Sequence, residues 1–282
     1  MESVTRTVYS SYIQTCLLLG IPPVYPANST LNEKFGIQSG TLPTANDRPT
    51  LGYYGIGNRG HQIVVGAEGI PKPEPVQHRA TDAALYGHIP FVLRPVMDDL
   101  TSVERARYAL RREEVHNGET YVAYYLRRLD KSNVTPIMNY KVIADNQEST
   151  APFVPNSSNL NPTPPNIAST GVNVIGGEYV SASALLSLSL TESDATELIN
   201  VAKVLYDDEY ASIISEICFC TGVDKIVQVT GSQGGTFNFN EAIGVQIASH
   251  IPAMIPMKFS NTGTSITLSV GATEPLFLLN SL

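Results

Sequence analysis

A chain of 282 residues suffices for one large domain or two ordinary ones, and its 43% hydrophobic content can fill a core. Charged residues are only 16%, below the roughly 25% of typical globular domains, so the surface is expected to be largely neutral and polar. The net charge of −8 is uneven: residues 1–150 carry 15 basic and 15 acidic side chains, whereas 151–282 carry 3 lysines and 11 acids, which argues against the second half wrapping nucleic acid.

No run near the N-terminus is long and apolar enough for a secretory signal or a membrane span, so the chain is expected to begin at Met1 and to be made in a cytoplasm. Val4, Val8, Tyr12 and Cys16 recur at spacing four and predict a short amphipathic helix ending near Gly20, with that stripe inside. Residues 21–50 are rich in turn formers and are expected to be irregular. Short apolar runs at Thr50–Tyr54, Gln62–Gly66 and Ile89–Val96 predict strands.

Between the first two of these, Gly55, Gly57 and Gly60 stand in the spacing of a dinucleotide-binding turn. Such a turn needs a helix opening after it, with the phosphate at the helix N-terminus. Here His61–Val65 is β-branched, and Gly66, Gly69, Pro71, Pro73 and Pro75 follow. No helix survives that composition, so the glycines are expected to shape a loop through positive φ, with Asn58 also tolerant of it.

Asp98 to Glu119 is expected to be the best helix of the chain, capped by Thr101 with Glu104 and stopped at Asn117-Gly118. Two strands joined across Lys131-Ser132-Asn133 should follow as a hairpin. Residues 151–170, with five prolines and four asparagines, predict an extended connector. It sets the expected domains at 1–150 and 171–282. Beyond it, Ser181–Leu190 alternates as a half-buried strand, and "ESDATELINVAKVLY" and "DEYASIISEICF" predict helices, the first burying Leu198, Val201, Ala202 and Leu205. Strands follow to the C-terminus, with a turn at Asn261-Thr262-Gly263. The fold class is α+β, β-weighted, in two domains of short strands and few helices joined by the Pro/Asn-rich linker.

Local motifs for chemistry are missing. Cys16, Cys218 and Cys220 have no framework spacing and are expected to be buried free thiols. His61, His78, His88, His116 and His250 form no metal-ligand pair, and no nucleophile elbow or phosphate loop occurs. Asp98-Asp99 and Asp207-Asp208-Glu209 are most simply helix caps. No catalytic residue, cofactor, metal or small-molecule substrate is therefore assigned. The remaining signal is an Arg/Tyr-rich surface for protein partners: Arg105, Arg107, Arg111, Arg112, Arg127 and Arg128, with the doublets Tyr53-Tyr54 and Tyr124-Tyr125. Adjacent strand residues face opposite ways, so each doublet is expected to leave one ring for a partner.

The stretches "RPTLGYYGIGNRGHQ" and "LYGHIPFVLRPVMDDLTSVERARYALRREEVHNGETYVAYYLRRLD", within residues 45–145, resemble structural proteins of tailed bacteriophages. The second half is similar in style only. The resemblance implies a non-enzymatic virion component, made in the host bacterial cytoplasm and assembled in many copies by shape. Its expected place is the tail or baseplate of a contractile tail, with the head-to-tail neck next, and its partners are other virion proteins and copies of itself. The rival expectations are a small hydrolase joining His88 to Asp98 or Asp99, and a glycan- or receptor-binding module in 171–282.

Overall fold

The computed structural model describes residues 4–144, 147–160, 178–231, 235–259 and 264–275. It opens with β1 (Thr5–Arg6), α1 (Val8–Leu19) and α2 (Leu31–Phe35). The Thr7 hydroxyl accepts from the Ser10 N–H to start α1, and Gly20 turns left-handed (φ 68°) to end it where expected. The buried side of α1 is Ser10, Ile13 and Cys16; Val8 and Tyr12, expected inside, face out. α2 forms where irregular chain was expected, opened by a Thr30–Glu33 capping box. Buried Asn32 ties it down: its amide donates to Ala242 O at 2.8 Å and accepts from the Val245 N–H at 2.9 Å.

β2 (Thr50–Gly57), β3 (His61–Val65), β4 (Pro71–Pro75), β5 (His88–Ile89) and β6 (Val92–Pro95) include the three expected strand regions. The long helix of 98–119 does not form. α3 (Ser102–Arg105) keeps the Thr101–Glu104 capping box, but the chain then turns into β7 (Arg111–His116) and β8 (Glu119–Tyr124), paired antiparallel. Asn117 (φ 52°) and Gly118 (φ 85°) both take left-handed backbone, as a two-residue hairpin turn requires. That turn and the partner strand "TYVAYY" outweigh the helix propensity of Arg111–Glu114.

β9 (Arg127–Arg128) pairs with β2, so the hairpin expected across 131–133 is also corrected. β10 (Ile137–Ala144) pairs instead with β11 (Gln147–Pro152) and β12 (Glu178–Leu190). In the stretch 151–170, expected to be extended, β11 ends at Pro152 and α4 (Ser157–Leu160) follows, while 161–170 lie outside the described residues. α5 (Glu192–Tyr206) forms where a helix was expected and buries Leu198, Val201 and Ala202, with Leu205 only partly buried; a Thr191–Asp194 capping box opens it.

The second expected helix is instead a 3-10 turn at Glu209–Ala211 followed by the 18-residue β13 (Ile213–Thr230). The 21-residue β14 (Thr236–Pro256) and β15 (Thr264–Pro275) complete the chain. Residues 214–222 are buried throughout, so they show no alternation, and a short run of that kind reads equally as buried strand or helix. The turn expected at 261–263 lies outside the described residues.

The chain forms two compact units: Met1–Leu129 with Leu190–Thr264, and Asp130–Ser189 with Ser265–Leu282. The first holds the antiparallel sheet β1-β14-β13-β2-β5, with β9 also on β2, and the smaller sheets β6-β8-β7 and β3-β4. Its core gathers Tyr53, Leu110, Leu126, Val201, Cys218 and Ile247. The second holds the sheet β11-β10-β12-β15. A division at 151–170 does not describe this arrangement. β2 pairs with β13 from Thr50↔Gly222 to Glu216↔Gly57, so both halves of the sequence contribute to one sheet. The fold is β-rich and antiparallel, but its central strands are long.

Candidate functional site

The residues expected to meet partners are mostly tied into the first unit itself. Tyr53, Tyr54, Tyr124 and Tyr125 are all buried, because both faces of their strands are covered. Tyr54 packs on Phe91 and Phe219, and Tyr125 stacks on Phe35 at 4.3 Å. Tyr53 Oη donates to Asp224 at 2.6 Å, Tyr124 Oη donates to Asp99 at 2.6 Å, and Tyr125 Oη donates to Glu114. Burial first, then these carboxylates, pushes all three phenols above their ordinary range.

The arginines follow the same pattern. Arg107 and Arg127 converge on Asp194 at 3.1 and 2.8 Å. Burial opposes ionisation of that carboxyl, but the Thr191 and Arg127 hydrogen bonds hold it below its usual value. Arg111 meets Asp99 at 3.1 Å, Arg112 meets Glu114 at 2.8 Å, and Arg128 meets Asp224 at 2.6 Å. Arg105 donates to Leu100 O at 2.7 Å and lies 3.9 Å over the Phe237 ring. The doublet argument assumed one free face per strand, and at these two doublets both faces are covered. These ten residues bind distant parts of the chain to each other.

The glycines of 55–60 also have a structural role, though not the one expected. None of Gly55, Gly57, Gly60 or Asn58 has positive φ. Each glycine instead admits a neighbour: an added Cβ would lie 3.0 Å from Cys218 Sγ at Gly55, 2.5 Å from Glu216 Oε1 at Gly57, and 2.4 Å from Ser215 O at Gly60. The space so kept holds a buried cluster that sequence reading missed. Glu216 Oε1 accepts from the Gly87 N–H at 2.8 Å, and Oε2 accepts from the Tyr86 N–H at 3.1 Å and meets His78 Nε2 at 3.0 Å. The other ring nitrogen of His78 meets Asp82 at 3.2 Å.

The His78 ring stacks on His250 at 3.9 Å, and His250 Nε2 donates to Asp82 O at 3.1 Å. Burial pushes the Glu216 carboxyl up, but the His78, Gly87 and Tyr86 hydrogen bonds outweigh it and hold the group below its ordinary value. Burial, then the neighbouring His78, lowers His250 to about 4. His88, lowered to about 3 chiefly by burial, accepts the Leu85 N–H at Nε2, 3.0 Å away. Asp99 is engaged by Arg111 and Tyr124, and Asp98 meets Arg94 at 3.9 Å, so the described contacts do not join either to His88. The only local signal for this cluster was an acid inside the apolar run "SEICFC"; His78 lies 138 residues from its Glu216 partner.

Among the described residues, no group of three or more His, Cys, Asp and Glu side chains is arranged to hold a metal ion. Likewise no helix there is long and apolar enough to cross a membrane. Cys16, Cys218 and Cys220 are buried free thiols, as expected. His116, expected near a helix end, closes β7 beside Glu114 at 2.9 Å.

The surface feature that remains is apolar. Val8, Tyr12, Leu18 and Leu19 of α1, with Ile21 and Val24 after it, are all exposed. The Val24 N–H donates to Tyr12 Oη at 3.2 Å and the Ile21 N–H to Cys16 O at 2.9 Å, which folds the segment back along the helix. From Thr7 to Asn32 the sequence holds no charged residue.

A family model matches residues 1–282, and its description is a family of unknown function, DUF7208. The chain belongs to that family. No curated protein and no solved structure matches it.

Proposed function

We propose that this member of DUF7208 is a non-enzymatic structural component of a tailed-phage particle, placed in the tail or baseplate of a contractile tail and acting by docking to other proteins. The observation that carries the docking part is the uncharged, exposed apolar surface of α1 and Ile21–Val24. The largest apolar patch on a water-facing surface is often a functional one, where another molecule sits. The internal pairing of the arginines supports the same reading, since it leaves shape and apolar contact as the means of recognition.

The virion part rests on the resemblance of residues 45–145 to tailed-phage structural proteins. In this reading the chain is made in the host bacterial cytoplasm, and its partners are virion proteins and further copies of itself. Immunogold electron microscopy of particles from the source lysate, with antibody to the full chain, tests it. Label at the end of the tail is the expected result, and label below the head moves the placement to the neck. Intact particles without label, beside a strong signal in the soluble lysate, would overturn the virion reading.

A further inference from the structure

We propose that two copies of this chain associate face to face through the apolar surface formed by α1 and Ile21–Val24. The proposal deepens the docking reading above by naming the surface and its first partner.

The geometry makes one continuous face. At 100° per residue, Val8, Tyr12 and Leu19 fall within a narrow stripe of α1, and Leu18, about 100° round from Leu19, flanks that stripe on the side away from Ile13. The exposed stripe lies to one side of the stripe that Ser10, Ile13 and Cys16 bury in the first unit. The left-handed turn at Gly20 and the bond from Val24 to Tyr12 then lay Ile21 and Val24 beside that stripe. Pro22 and Pro23 stiffen the connection. Less order therefore has to be gained when the face is covered.

Area and charge choose the occupant. The six side chains are exposed by 41% to 87%. With side-chain areas of ~150–200 Å² they present on the order of 600 Å², at the top of the range for the largest patch on an ordinary monomer. That is close to the ~800 Å² each partner gives a standard interface.

In a two-fold contact each patch meets its own copy, so any charge near the axis meets its like. On a chain with net charge −8, the stretch Thr7–Asn32 is free of charge and can pair with itself without that repulsion. A lipid surface fits less well, because helices that lie on membranes carry several Lys or Arg on their polar face, whereas α1 has none of its own and only Arg6, hydrogen-bonded to Gln14, beside it.

Sedimentation of the full chain, at concentrations up to ~100 µM where a standard-size interface is populated, tests this. The expected species is a dimer, and Leu18→Glu, at the most exposed position of the patch, is expected to weaken it about 100-fold. Each copy contributes one buried acid, at roughly tenfold apiece. The side chain is 87% exposed, so the thermal midpoint of the monomer should stay within about 2 °C of its original value.

The chain holds no tryptophan, so Leu18→Trp adds a single reporter, whose emission should shift to the blue as concentration rises. A wild-type monomer at the highest concentration would overturn the proposal. So would a dimer unchanged by Leu18→Glu, or a monomer that floats with phosphatidylcholine vesicles. A dimer whose antibody labels no particle would remove the virion reading and leave this contact standing; a monomer that labels particles would do the reverse.

Discussion

Four glycines in and beside β2 give a graded test of the close-packing argument, because none of them has positive φ. If they served only as flexible backbone, alanine at each would stabilise the fold by roughly 0.5–1 kcal/mol through the unfolded chain. The structure separates them. An added Cβ at Gly52 meets nothing nearer than 3.6 Å, and at Gly55 it meets the movable ends of Cys218 and Leu126 at 3.0 and 3.1 Å. At Gly57 it would sit 2.5 Å from Glu216 Oε1 and 2.6 Å from the Gly87 carbonyl, and at Gly60 it would sit 2.4 Å from the Ser215 carbonyl.

Overpacking costs about 1–3 kcal/mol, and displacing Glu216 weakens a charge-assisted hydrogen bond worth about 1.5–3 kcal/mol. After the backbone gain, Gly57→Ala should lose about 3 kcal/mol and Gly60→Ala about 2 kcal/mol. Gly55→Ala should lie within about 1 kcal/mol of wild type, and Gly52→Ala should gain about 0.5 kcal/mol. In urea, followed by tyrosine circular dichroism, the Gly57 variant should unfold ~1.5 M earlier, for a slope of about 2 kcal/mol/M. Equal midpoints for Gly52→Ala and Gly57→Ala would refute the reasoning.

Three further outcomes follow from the same contacts. Asp194→Ala removes the shared partner of Arg107 and Arg127 and the Thr191 cap, so it should cost about 3–4 kcal/mol. A double-mutant cycle with Arg127→Met should then show coupling above about 1 kcal/mol. Acid should destabilise the fold before its carboxylates titrate. His88 and His250 are held at about 3 and about 4, so between pH 6.5 and 4.5 the unfolded chain binds protons that the folded chain refuses. Stability present above pH 6.5 is lost as pH falls, by roughly 3–5 kcal/mol at pH 4.5. Urea midpoints flat from pH 7 to 5 would contradict this. Gly118→Ala, at φ 85° in the β7–β8 turn, should cost about 1 kcal/mol by calorimetry, and Asn117→Gly should be nearly neutral.

What could be read from the sequence was set by how local its cause is. Helix ends depend on a few adjacent groups, so Thr101 with Glu104 and Gly20 appear where expected. Helix bodies depend on tertiary context. "LRREEV" has good helix formers, but Asn117-Gly118 folds it onto "TYVAYY" as a strand. "SIISEICF" has no alternation to distinguish strand from helix, because both of its faces are buried. The Glu216 cluster brings together residues from three distant regions, and no spacing rule reaches that far.

The same distance explains why the contacts of the arginines and tyrosines could not be read from the sequence. Arginines and tyrosines were expected to face partners because such side chains are enriched at interfaces. Here Asp99, Asp194 and Asp224, each far along the chain from at least one of its partners, receive them inside the first unit. The charged groups of that unit act as cross-links between sequence-distant strands. The stripe Val8–Tyr12, expected to fill the core, is displaced from it because Ser10, Ile13 and Cys16 already cover the first unit. A helix with two apolar stripes can bury only one against its own chain. The second stripe then either remains in water or meets another molecule, and its lack of charge from Thr7 to Asn32 removes the repulsion that would keep its own copy away.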